Sequence, residues 1–238
     1  MRLIANPLAH FLVMVWAVLM FTSQAHAQAN NAYRAEIVLL ERIVDPNQVT
    51  ERMASRDVEP TPDLPAKLLV KDFAGNTHTT LNLVPSNEMH LGSAASRLVN
   101  SGRYRVLMTA GWYQSFPPNY EGETLQVALG DWLAEAGHRE VEGTITIDRQ
   151  RFLHVNVALN HWQPAPQRVA EPMPASSDSG SSLASMAQGG EIGGEVINSP
   201  KAELLTWIRE TRRMRSEEIH FLDSPTLGVL VFFRKIES

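Results

Sequence analysis

The chain has no cysteine among its 238 residues. That excludes a disulfide scaffold, a thiol nucleophile and a lipid-modified amino-terminal Cys, and it leaves the fold to be held by its core. An excess of positive charge is also missing: 21 basic side chains face 26 acidic ones, for a net charge of −5. A general nucleic-acid binder needs a basic footprint, so nucleic acid is not an expected partner. After residue 27 no apolar run approaches the roughly 20 residues that a spanning helix requires, so the mature product is expected to be soluble rather than membrane-inserted. Catalytic signatures are missing as well. Gly-x-Ser-x-Gly, glycine-rich phosphate loops and Ser-x-x-Lys do not occur, and no two of the eight histidines have the i, i+4 spacing of a helical zinc site. Glu217 and Glu218 are a pair only in sequence, because adjacent strand residues point apart. No enzyme activity, cofactor or metal ligand is therefore expected.

What is present begins with a leader. Met1-Arg2 is weakly basic, Leu8 to Phe21 is largely apolar, and Ala25-His26-Ala27 is a small-x-small cleavage signature. Residues 1–27 are expected to be a secretory signal peptide, with a membrane anchor as the alternative. Removing 27 of the 238 residues leaves 211, and the only charge lost is Arg2, which moves the net charge from −5 to −6. Export without cysteine suits a bacterial periplasm.

The centre of the pattern is Val141 to Asn160. Val141, Ile145 and Ile147 fall on one face of a first run, and Leu153, Val155, Val157 and Leu159 on one face of a second. Strict alternation around the polar break at Asp148 to Arg151 predicts a half-buried antiparallel hairpin. Tyr33 to Val44 is continuously apolar in its middle and predicts a central strand buried on both faces. Asp45 to Pro65, with four prolines, reads as a long irregular excursion. Leu68 to Phe73 predicts a short strand ending at Gly75-Asn76, with Thr79 to Val84 as its partner.

Ser86 to Gly102 predicts the main helix: Leu91, Ala94, Ala95, Leu98 and Val99 make one apolar stripe, Ser86 is placed to cap the start, and Gly102 to end it. Arg103 to Trp112 then predicts a strand with Tyr104, Val106, Met108 and Ala110 on one face. Strand, excursion, helix, strand is the order of a split βαβ unit. The expected class is therefore α+β, an antiparallel sheet with a split-βαβ start and one main helix on one face. Residues 163–200, rich in Pro, Ser and Gly, are expected to be a disordered, flexible insertion. Lys201 to Arg215 carries both helix signals and strand alternation, while Glu217 to Leu222 and Gly228 to Phe233 read as strands. So apolar a tail must complete the sheet begun earlier, which makes 28–238 one interrupted domain rather than two.

Three blocks carry a resemblance. They are Ser101-Gly102-Arg103-Tyr104-Arg105-Val106-Leu107 running on to Trp112-Tyr113-Gln114; Glu142-Gly143-Thr144 with Arg149-Gln150-Arg151-Phe152-Leu153-His154; and Arg212 to Asp223 with Pro225 and Gly228-Val229-Leu230-Val231. In this order, and with Tyr33 to Glu41 as an opening strand, they resemble the CsiV family of periplasmic peptidoglycan-binding proteins. The resemblance favours strand over Trp207 to Met214. It implies a protein that supports a bifunctional penicillin-binding synthase through that enzyme's outer-membrane lipoprotein activator. Thr109-Ala110-Gly111 and the long insertion depart from the family's pattern.

For ligand binding the candidates are Arg105, Trp112, Tyr113, Arg151, His154 and Arg213. Arginine forks two hydrogen bonds to a carboxylate, such as those on peptidoglycan stems, and Trp112 or Tyr113 can stack on a sugar. Each has a plainer alternative. The arginines can pair with Glu142, Asp148, Glu217 and Glu218 across strands, Trp112 can plug the end of the core, and His154 and His220 can be ordinary hydrogen-bonded strand residues. A second function class is a periplasmic protein–protein adaptor with no wall affinity, acting through the aromatic segment 112–116. Salt separates the two, because carboxylate recognition weakens with ionic strength.

Overall fold

A computed structural model describes residues 31–50, 58–165 and 201–236. The leader, and the insertion from residue 166 to 200, lie outside the described residues. Ten strands and one α-helix are found among them: β1 (Ala32–Arg42), β2 (Lys67–Lys71), β3 (Thr77–His78), α1 (Gly92–Asn100), β4 (Tyr104–Ser115), β5 (Leu125–Leu133), β6 (His138–Arg149), β7 (Leu153–Pro164), β8 (Ala202–Met214), β9 (His220–Asp223) and β10 (Leu227–Lys235).

They form two sheets, a smaller one ordered β4-β1-β10-β9 and a larger one ordered β3-β2-β5-β6-β7-β8. One buried cluster joins them: Ile37, Leu39 and Val231 from the smaller sheet meet Val127, Ile145 and Val157 from the larger. This is sheet-on-sheet packing, in which the two inner faces interdigitate to make the core. The α+β expectation is thereby overturned. A split βαβ unit needs parallel strands, but β1 and β4 are adjacent and antiparallel, from Ala32 opposite Ser115 to Arg42 opposite Tyr104. The nine-residue α1 is a minor element against the far side of the smaller sheet, where Leu91, Ala94 and Ala95 meet Val38, Leu40 and Phe232.

Local departures from the sequence pattern have identifiable causes. The helix begins at Gly92 rather than near Ser86, because Ser86–Glu88 forms a separate 3-10 turn and Met89 turns extended and buries itself. The Leu91 amide is taken by the Glu36 carboxylate of β1 at 2.9 Å, so Ser86 caps nothing in α1. Thr79 to Val84 forms no strand: β3 pairs with β2, Thr79 and Thr80 only continue onto Lys67 of β2, with the Thr80 amide on the Lys67 carbonyl at 3.0 Å, and Leu83 and Val84 reach the edge of β4. In β4 a register shift opposite Leu39 and Leu40 breaks the expected face, so Met108 and Ala110 enter the shared core while Tyr104 packs on the helix side.

The predicted hairpin is β6 and β7, with Ile145 opposite Val157 and Ile147 opposite Val155, all buried. Gly143 sits in β6 at φ +147°, and a Cβ there would run into the Ala158 carbonyl of β7, so the close approach of these strands requires glycine. Residues 201–215 resolve as strand, not helix: β8 pairs with β7 from Leu153 opposite Met214 to Pro164 opposite Ala202. β7 therefore runs through Gln163 and Pro164, which the sequence pattern had assigned to the insertion.

Candidate functional site

The period-2 geometry of β6, β7 and β8 lays out rows of outward side chains across the larger sheet. Nearest the β6–β7 turn, Asp148, His154 and Arg213 are register partners. The next rows are Thr146, Asn156 and Thr211, then Thr144, Ala158 and Arg209, then Glu142, Asn160 and Trp207. Phe152, at the turn, is 38% exposed and carries two guanidinium groups over its ring, Arg213 at 4.7 Å and Arg151 at 5.5 Å from the centroid. Two of the predicted residues, Arg151 and Arg213, thus meet over Phe152, which was not predicted, and a third, His154, is the register partner of Arg213.

Neither Arg151 nor Arg213 has an ion-pair partner among the described residues, because the expected carboxylates are engaged elsewhere. Asp148 accepts the Gly122 amide at 2.8 Å. Glu142, buried, takes the Thr61 amide, Asn160 Nδ2 and Trp162 Nε1. Glu217 accepts the Lys235 amide, and Glu218 pairs with Arg215 at 3.5 Å. What is left at the turn is two exposed, uncompensated cations on an aromatic ring. Arginine side chains have the donors to hold a carboxylate by bidentate hydrogen bonds, and here an aromatic ring lies against them.

A second capped aromatic lies along the same face. Arg209 stands 5.3 Å from the centroid of the half-buried Trp207, donates from Nη1 to the Leu159 carbonyl at 2.9 Å, and from Nη2 to Asn160 Oδ1. Burial lowers its pKa, and the nearby Glu142 charge only partly opposes that. From Trp207 to Arg213 is six residues of strand, about 20 Å. The two ring-and-arginine units therefore bound a polar strip of threonines and asparagine.

The remaining candidates are elsewhere. Trp112 is 2% exposed, lies in the shared core and donates from Nε1 to Gln114 at 2.7 Å, so it cannot stack on a sugar. Tyr113 points the other way and is 56% exposed on the outer side of the smaller sheet. Phe116 is also fully buried, so the segment 112–116 shows outside little aromatic surface beyond Tyr113. Arg105 sits near the far end of β6 from the turn, with Nε on Glu41 at 2.7 Å and Nη2 3.7 Å from Glu140. His220, on β9 of the smaller sheet, has its ring bound by the Arg215 backbone and shares no face with His154.

That far end holds a group the sequence did not reveal. Glu41 of β1, Glu140 of β6 and His161 of β7 each present one ligand atom within 4.8 Å of the others. Burial alone would push the Glu140 carboxyl up, but the His161 hydrogen bond, the Asp131 amide and the His161 and Arg105 charges carry it below its ordinary value. No spacing marks this trio in the sequence, since its members come from both sheets. Phe152 had a weak mark, lying inside the block Arg149 to His154, but its role needed the β7–β8 register that delivers Arg213.

A family model described as peptidoglycan-binding protein, CsiV, matches residues 8–236. No curated protein and no solved structure matches the chain.

Proposed function

The chain belongs to the CsiV family, and from that membership we propose that it binds peptidoglycan through the outer face of the larger sheet at the β6–β7 turn. Arg151 and Arg213 fork onto stem-peptide carboxylates, the Phe152 ring offers a platform to a sugar, and His154 supplies a further polar contact beside Arg213. The observation that carries this reading is the pair of guanidinium groups left without carboxylate partners on one exposed ring. The protein acts in the periplasm after loss of residues 1–27, without catalysis. There it supports a bifunctional penicillin-binding synthase through its outer-membrane lipoprotein activator, as the family resemblance implies. An adaptor role through 112–116 has less to work with, because Trp112 and Phe116 are core residues.

Co-sedimentation with purified sacculi at low and high salt tests the proposal. Retention is expected to fall as salt rises. Arg151→Ala and Arg213→Ala each remove charge-assisted hydrogen bonds of about 1.5–3 kcal/mol, a weakening of roughly tenfold or more. If both variants sediment like the parent protein, the turn is not the binding site.

A further inference from the structure

We infer that Glu41, Glu140 and His161 form a binding site for a divalent transition-metal ion of the zinc type, bridging the two sheets at the end of the molecule away from the β6–β7 turn. One imidazole nitrogen and two carboxylate oxygens are a ligand set that suits zinc, and three protein ligands leave a position for water. The donor atoms lie within 4.8 Å of one another, a spread that rotation of the two glutamate side chains closes to bonds of about 2 Å.

The independent observation is the shell around the trio. Metal-binding histidines hand their second ring nitrogen to an acceptor, which fixes the tautomer and turns the first nitrogen toward the ion. His161, 4% exposed, holds Thr226 Oγ1 with Nδ1 at 2.7 Å, and Thr226 in turn meets Thr206 Oγ1 at 2.5 Å. That leaves Nε2 facing Glu140 Oε1 at 3.4 Å, at the outer limit of a hydrogen bond. The carboxylates are oriented in the same manner. Arg105 holds Glu41 by Oε2, and the Asp131 amide holds Glu140 by Oε2 at 3.0 Å. Each group is thus gripped by one atom. Glu41 Oε1 has no hydrogen bond among the described residues, and Glu140 Oε1 and His161 Nε2 meet only each other. Charge agrees: the Glu41 and Glu140 carboxylates carry two negative charges against the single positive charge of the half-exposed Arg105, which meets both through their Oε2 atoms.

The test is calorimetric titration of Zn2+ into the EDTA-stripped, untagged protein, with Ca2+ as a comparison and Co2+ as a spectroscopic probe. One equivalent of Zn2+ should bind, Ca2+ much more weakly, and one equivalent of Co2+ should give visible absorption. The double variant Glu41→Gln, Glu140→Gln preserves side-chain size and should lose at least tenfold in affinity, with its folding checked by circular dichroism. Thr226→Val, which touches only His161 and its neighbours, should cost about 10–100-fold, and Thr226→Ser should restore it. Absence of stoichiometric Zn2+ binding would overturn the inference, as would a double variant that folds and binds equally well. Neither result touches sacculus retention, which is read separately.

Discussion

Glu36 has no exposed surface, yet it is a charged residue in the middle of a strand. Its carboxylate is stabilised by two donors, Arg34 Nε at 2.8 Å and the Leu91 amide at 2.9 Å, so one side chain both balances a buried arginine and starts α1. Glu36→Gln would leave the Arg34 charge buried and unmatched, a loss of about 3–5 kcal/mol. Urea unfolding measures it, and a change below roughly 1 kcal/mol would refute this account of the pair. At this scale the sequence pattern was informative about direction and silent about partners. Alternation required Trp112 and Tyr113 to part, and they do, with Trp112 inward. It could not show that Glu142, Asp148 and Glu217 are occupied by backbone amides, which is why Arg151 and Arg213 end up unpaired.

Among the elements, the extended segment 58–65 behaves as a strap across the outer side of β5 and β6. Glu142 holds it at the Thr61 amide at 2.7 Å, and Gln126 holds it at the Leu64 amide and Pro62 carbonyl. Glu142 also accepts from Asn160 and Trp162, so three donors converge on it. Glu142→Gln replaces one acceptor oxygen by a donor, leaving a buried group unsatisfied at about 1–3 kcal/mol. Amide exchange at Thr61 should quicken while Leu64, on Gln126, changes less; equal protection of Thr61 in both proteins would sink the idea. Elements written in local alternation, such as β6, β7 and β1, were legible in advance. The start of α1 was not, because a carboxylate from β1 decides it, nor was the face of β4, which a bulge turns over.

For the molecule as a whole, pairing between distant strands decides the architecture, and no local periodicity reports it. That is why one sheet with a helix was expected and two packed sheets are found. The same pairing closes β7 onto β8 without help from the segment between them. Pro164 and Ala202 are register partners, and the Ala165 amide meets the Lys201 carbonyl at 3.4 Å, so the chain leaves and returns at one point. Loop closure changes by only about 0.6 kcal/mol per doubling of length, so exchanging residues 166–200 for a short Asn-Gly turn should keep or slightly raise the melting temperature. A variant that no longer unfolds cooperatively would show that the segment is part of the fold.

The smaller sheet also imposes an order in time. Among the described residues β1 is the first strand in the chain, but its neighbours are β4 and β10, with Tyr33 opposite Lys235. A ribosome that delivers the chain from its amino end must release β1, whose side chains from Tyr33 to Leu40 are all buried at the finish, long before its last neighbour arrives. Until residues 227–235 emerge, that apolar strand is an open edge seeking a partner. While those residues are missing β1 can pair only with β4, and its other edge stays open.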